Sequence, residues 1–218
     1  MAIKKISKII PRAQMLTFTP EQRRRFAADI DGDYRLKTKK PIVLVGLMGS
    51  GKTALGQRLA VALGLPFVDS DTIIEKKSGL LIRNIFKISG EAKFREMEHK
   101  TILNNLDSSQ VILSTGGGAF CNPKTRTAIK THAISVWLDA KPTDLLHRIG
   151  NTSSRPLLNT GDPLQILSDL RQQRMADYQQ AELHVRTGRH SLRLSIKKIL
   201  NILEQNSYIE ALSDKNDK

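Results

Sequence analysis

Cysteine is nearly absent from this 218-residue chain, Cys121 being its single representative. One thiol cannot close an internal disulfide, and nothing near it has metal-site spacing. A reducing compartment follows, with Cys121 read as a small core residue. Long apolar runs are missing too, because Lys, Arg, Asp or Glu interrupts every stretch that could reach the roughly 18 residues of a membrane helix. There is no internal repeat and no low-complexity tract, which excludes collagen-like, coiled-coil and wholly disordered chains. Acidic residues are under-represented: 21 Asp and Glu stand against 35 Lys and Arg, a formal net charge of +14. Such an excess suits an anionic partner, whether nucleotide, phosphorylated metabolite, nucleic acid or membrane surface. The five histidines, His99, His132, His147, His184 and His190, show neither metal nor triad spacing and read as structural or solvated.

What is present, 39% hydrophobic and 26% charged residues, suits one α/β domain with or without a tail. Half of the charge excess, +7, sits in residues 1–40, which read as a basic and partly flexible N-terminal extension. Residues 1–18 have four basic residues and no acidic one. Ile3, Ile6, Ile9 and Ile10 could share a helical side, but Pro11 cuts that helix short. Thr19-Pro20-Glu21-Gln22 is a capping box with Pro at the first helical position, predicting a helix over Pro20–Ala28. Its arginine run, Arg23 to Arg25, reads as a solvated face or a nucleic-acid contact. The Asp29–Asp33 stretch is not a calcium loop, because the twelfth position holds Lys40 instead of Glu.

From Pro41 short β-branched runs alternate with helical patterns, as βαβ units around a parallel sheet require. The spacing predicts strands at Ile42–Val45, Pro66–Asp69, Val111–Thr115, Ile134–Leu138 and Leu183–Arg186. Helices are expected at Lys52–Leu63, Glu91–Leu106, Lys124–Lys130, Thr143–Ile149, Pro163–Tyr178 and Leu192–Gln205. The domain is accordingly placed at residues 41–205, with 206–218 as a polar tail without pattern.

The strongest chemical signal is Gly46-Leu-Met-Gly49-Ser50-Gly51-Lys52-Thr53, a G-x-x-x-x-G-K-[ST] loop between an apolar strand and an amphipathic helix. Glycines let successive N–H groups face phosphate oxygens, Lys52 reaches toward the β- and γ-phosphates, and the Thr53 hydroxyl suits Mg²⁺. The second strand ends in Asp69-Ser70-Asp71, where open α/β sheets place ligands. Extended-chain alternation would send both carboxylates to one side, one for Mg²⁺ through water and one for an attacking hydroxyl; alternatively Asp71 only caps a helix beginning at Thr72. Ser114-Thr115-Gly116-Gly117-Gly118 permits close backbone approach by a ligand. Arg95 and Glu98 share a helix face, as do Arg174 and Tyr178. The polar connection from Arg148 to Pro163 is long enough for a mobile lid carrying Arg155 toward ATP.

Together these motifs resemble the shikimate kinases over roughly residues 41 to 203. The features that carry the likeness, in order, are G-L-M-G-S-G-K-T, D-S-D-T-I-I-E, I-F-K-I-S-G-E-A-K-F-R, S-T-G-G-G-A, N-T-S-S-R-P-L-L and R-M-A-D-Y. The resemblance implies a nucleoside-monophosphate-kinase-like three-layer α/β sandwich, a five-stranded parallel sheet with helices on both faces and a mobile lid. It implies MgATP-dependent phosphorylation of the shikimate 3-hydroxyl. Gly49, Ser50, Gly51, Lys52, Thr53, Ala54, Arg148 and Arg155 would serve ATP, with Arg148 beside adenine. Thr53 and, through water, Asp69 would serve Mg²⁺. Asp71, Arg95, Gly117 and Arg174 would hold shikimate, and Lys52, Asp71 and Arg155 would carry catalysis. It further implies a cytoplasmic monomer with no obligatory protein partner, no nucleic acid and no membrane span. Met175-Ala176-Asp177 departs from the family's usual Pro-containing stretch. Two readings compete: a gluconate-type or nucleotide-type small kinase on the same fold, and a P-loop protein whose basic leader binds nucleic acid and whose ATP site is regulatory.

Overall fold

Apolar runs of three to six residues become strands here because both of their faces are covered. A computed structural model describes residues 18–107, 110–153 and 155–212. The elements in order are α1 (Pro20–Ala27), β1 (Tyr34–Leu36), β2 (Ile42–Val45), α2 (Lys52–Ala62), β3 (Phe67–Asp69), α3 (Ser70–Ser78) and α4 (Ile82–Leu106). They continue with β4 (Ile112–Ser114), α5 (Pro123–His132), β5 (Ile134–Asp139), α6 (Pro142–Ile149), α7 (Pro163–Tyr178), β6 (Leu183–Arg186), α8 (Leu192–Gln205) and β7 (Ile209–Ala211). Strands β3-β4-β2-β5-β6 form one sheet, parallel throughout.

Alternation along each strand sorts the core into two layers. On one face Val43, Val45, Leu113 and Trp137 pack with Ile102, Ile129, Leu145, Leu167 and Tyr178 from α4 to α7. On the other, Ile42, Leu44, Ile112, Val136 and Val185 meet Leu55 and Leu59 of α2 and Ile196, Ile199 and Leu203 of α8. Because β2 lies between β4 and β5, the loop after it opens at the reversal of strand order, where such sheets bind ligands.

The ends of the chain differ from expectation. Thr19 and Gln22 do form the capping box, but residues 18–40 are not merely an appendage. Phe26 and Leu36 are buried, and Phe18, Ile30 and Tyr34 pack on the α2–α8 layer. Residues 209–211, read as patternless tail, form β7 and pair antiparallel with β1. A three-residue strand supplies too little alternation to be seen without its partner. The expected helix at Glu91 starts earlier, at Ile82, and bends at Gly90 (φ 76°, ψ 172°). The amphipathic pattern of Ile3 to Ile10 and the last residues of the tail lie outside the described residues.

Candidate active site

The loop between β2 and α2 closes because glycine occupies its left-handed positions: Gly46, Gly49 and Gly51 have φ of 138°, 77° and 95°. A side chain on Gly46 would also meet the Leu138 carbonyl at 2.6 Å. The loop therefore lies against the end of β5. Lys52, on the first turn of α2, donates to the Gly46 and Leu47 carbonyls at 2.7 and 2.9 Å. Its removal from water pushes the ammonium down to about 8, with Asp71 and Asp69 opposing.

Asp69 and Asp71 reach the same cleft, but not by strand alternation. The strand ends at Asp69, and a helix, α3, begins at once. Asp69 is its cap, its Oδ1 accepting from the Asp71 and Thr72 N–H groups at 3.1 and 3.4 Å. This corrects the alternative in which Asp71 caps the helix, and it leaves the Asp71 carboxylate available to the cleft. The second oxygen of Asp69 accepts from the Thr53 hydroxyl at 3.0 Å. Burial, with Asp69 and Glu98 adding to it, pushes the Asp71 carboxyl up to about 7 against the pull of Lys52.

Lys52, Thr53, Asp69, Asp71, Gly116, Gly117, Arg148 and Arg155 line one cleft of about 820 Å³ together with Gly49, Ser50, Gly51 and Ala54. That volume suits a drug-sized or larger ligand, since small-molecule sites run to roughly 300–1,000 Å³. Arg155 sits on the lid, ahead of a short 3₁₀ turn over Pro156–Asn159. The lid is less free than its polar sequence implies, because Leu158 is buried in the core while Leu157 is exposed.

Arg95 and Arg174 do not line this cleft; they stand behind the triple glycine, Arg95 against Gly118 and Arg174 against Gly117. A side chain on Gly118 would meet the Arg95 guanidinium at 2.4 Å, and one on Gly116 would meet Glu98 Oε1 at 2.3 Å. A larger residue at either position would force these side chains to shift. Arg95 donates to Glu98 at 2.7 Å and to Glu91 at 3.1 and 3.2 Å. Glu98 is 1% exposed, so this pair is not the solvent-screened kind. Burial raises its carboxyl while Arg95 and then Arg174 draw it down. Arg174 donates to the Gly117 carbonyl at 3.0 Å, and the Tyr178 hydroxyl donates to the same oxygen. Cys121 is half-buried, and burial pushes its thiol up to about 11, so it is no nucleophile.

Arg148 ties the phosphate loop to the segment after β6, donating to the Thr187 hydroxyl at 3.1 Å, the Thr187 carbonyl at 2.8 Å and the Gly188 carbonyl. Thr187, Arg189 and His190 line this end of the cleft with Asp144 and His147. Sequence reasoning missed them. The signal was there: Thr187-Gly188-Arg189-His190 is a polar, Gly-containing turn at the carboxyl end of a parallel strand. His147 and His190 are therefore cleft residues rather than merely solvated ones.

Fold and site together define a P-loop phosphotransferase of the nucleoside-monophosphate-kinase type. The shikimate kinase family model matches residues 48–204. A shikimate kinase of Novosphingobium aromaticivorans is 42% identical over 170 residues, 76% of this chain and 88% of its own. One of Bartonella quintana is 37% identical over 180 residues, 83% of this chain and 85% of its own. Among solved structures, that of the shikimate kinase from Acinetobacter baumannii in complex with shikimate superposes with a TM-score of 0.74 at 36% identity, covering 78% of this chain and 96% of the other. This chain belongs to the shikimate kinase family, and it is an enzyme that phosphorylates shikimate at the expense of ATP in aromatic amino-acid biosynthesis.

Proposed function

We propose that the cleft transfers the γ-phosphoryl group of ATP to the 3-hydroxyl of shikimate, with the roles divided by position. The observation that carries this is a phosphate loop and a carboxylate pushed up to about 7 on one cleft, with two arginines directly behind its glycine wall. Loop N–H groups and Lys52 hold the phosphates, and Arg155 approaches them from the lid. Arg148, braced on Thr187 and Gly188, flanks the adenine. Arg95 and Arg174 take the shikimate carboxylate, and the Gly117 backbone lies beside the ring.

The 3-hydroxyl oxygen forms its bond to the γ-phosphorus as the bond to the β-phosphate oxygen breaks, and ADP leaves. Asp71 orients that hydroxyl and accepts its proton, a role for which a carboxyl titrating near 7 is well matched. Most of the acceleration comes from positioning and charge neutralisation.

Thr53 and Asp69 fit Mg²⁺: two hard oxygen donors already face one another at 3.0 Å on the cleft wall. Thr53 would hold the ion directly and Asp69 through water; when bound with the nucleotide it neutralises phosphate charge. A single half-buried thiol supports the reducing cytoplasm.

The test is a coupled ADP-release assay with MgATP against a panel of small hydroxy acids. Turnover with shikimate alone is expected. Turnover with gluconate or a nucleoside monophosphate, and none with shikimate, would overturn the proposal. Arg95→Lys or Arg174→Lys, each losing a forked pair with the carboxylate, should raise the KM for shikimate by about ten-fold, since charge-assisted bonds contribute roughly 1.5–3 kcal/mol. The KM for ATP should hardly move.

A further inference from the structure

Helix α7 carries the substrate arginine Arg174, yet little apolar packing holds the part of the helix that presents it. Of its sixteen residues only Leu167 and Tyr178 are buried, three turns apart, with Leu170 and Met175 half-buried between them. Three polar contacts bridge the gap. Arg174 reaches the Gly117 carbonyl. Asp177 pairs at 2.9 Å with Arg126, which also donates to the Phe120 carbonyl at 2.8 Å. One turn before Arg174, Arg171 grips Asp139 with two bonds to its two oxygens, Nε to Oδ1 at 3.1 Å and Nη2 to Oδ2 at 3.0 Å.

Asp139 is the last residue of β5 and is 6% exposed. His184 of β6 approaches its Oδ2 at 3.4 Å and stacks on Trp137 at 4.2 Å, and Trp137 stacks in turn on Tyr178 at 5.7 Å. The pair thus links the rigid end of the sheet to the turn of α7 that aims Arg174. A forked guanidinium–carboxylate pair fixes direction as well as distance, which a single lysine bond cannot do.

We propose that the Arg171–Asp139 pair is a positioning device for shikimate recognition, holding α7 so that Arg174 meets the substrate carboxylate. The inference rests on the reading of Arg174 as a carboxylate ligand. Neither Arg171 nor Asp139 touches substrate; they act through Arg174. Breaking the pair from one side alone leaves a buried, unpaired carboxylate and is confounded by lost stability. Replacing both partners by apolar side chains removes the direction without leaving that charge behind.

The experiment is steady-state kinetics and calorimetric shikimate binding for Arg171→Lys, the double variant Arg171→Met/Asp139→Leu, and Arg174→Lys as control. The double variant should melt near the wild-type temperature but show a KM and a Kd for shikimate raised about ten-fold, the loss expected when a charge-assisted bond is misaligned. Its KM for ATP should stay at the wild-type value. Arg171→Lys, which keeps the charge and loses the fork, should fall between the two and remains informative if the double variant does not fold. Wild-type shikimate binding in the Arg171 variants, alongside weakened binding in Arg174→Lys, would overturn this inference alone. Unchanged binding in Arg174→Lys as well would overturn the reading beneath it.

Discussion

At the scale of single residues, the shifts of the carboxylate and the ammonium that share the cleft run in opposite directions. Asp71 is pushed up to about 7 and Lys52 down to about 8. In the free enzyme kcat/KM should rise as pH passes through about 7, where Asp71 loses its proton. It should fall above about 8, where Lys52 loses the charge the phosphates need. A profile flat from pH 6 to 9 would contradict these roles. Stability follows a different sign. The folded-state value of Asp71 exceeds the unfolded carboxyl value of 3.8, so the folded chain binds more protons and loses stability as pH rises from about 4 to 7. Asp71→Asn should therefore raise the melting temperature at pH 8 and hardly change it at pH 4, while turnover falls. Lys52→Ala removes a group that faces the loop rather than the core. It should abolish phosphoryl transfer with circular dichroism unchanged, and near-normal turnover would show that the loop does not cradle ATP.

At the scale of elements, the lid and the N-terminal helix are where local pattern and packing disagree most. The proposed role of Arg155 calls for its segment to close over nucleotide, yet Leu158 anchors that segment in the core. Hydrogen exchange should therefore be fast at 150–153 in the free protein and slow with nucleotide and shikimate, while Leu158 is protected in both states. Equal protection of 150–153 with and without ligands would rule out gating. In α2, Arg58 is 6% exposed and its charge is met from outside the family core: Asp29 pairs with it at 2.6 Å, and the Phe26 ring lies 5.0 Å from the guanidinium carbon. Asp29→Asn should cost about 2 kcal/mol, below the usual 3–5 for breaking a buried pair because Asp29 itself is partly exposed. Chemical denaturation measures it.

At the scale of the whole molecule, residues 18–40 and 206–212 join to clasp the α2–α8 side of the sheet. α1 packs on α2, β1 pairs with β7, and Asp31 meets Arg193 of α8 at 2.6 Å. Deleting residues 1–17 should leave kcat unchanged, because every assigned group lies at or beyond Gly46. Deleting residues 1–40 should lower the melting temperature by about 10 °C or more, since it removes the buried Phe26 and Leu36, uncovers Ile209 and orphans Arg58. If both deletions melt alike, the clasp contributes nothing. Much of this architecture was legible in sequence: β2, β6, α7 and α8 have the residue limits their periodicity indicates, and the phosphate loop is specified by glycines whose backbone angles other residues avoid. Local chemistry was enough for these features, because strand alternation, helical period and turn glycines act over a few residues. Other features depend on partners far along the chain. β1 and β7 are three residues each and some 170 positions apart, Arg58 is satisfied by Asp29, and Arg171 is aimed by Asp139. Nor does spacing say that Asp69 caps a helix and leaves Asp71 to the cleft. Only the tertiary structure decides these, because a buried charge or a three-residue strand has no stable state until its distant partner is in place.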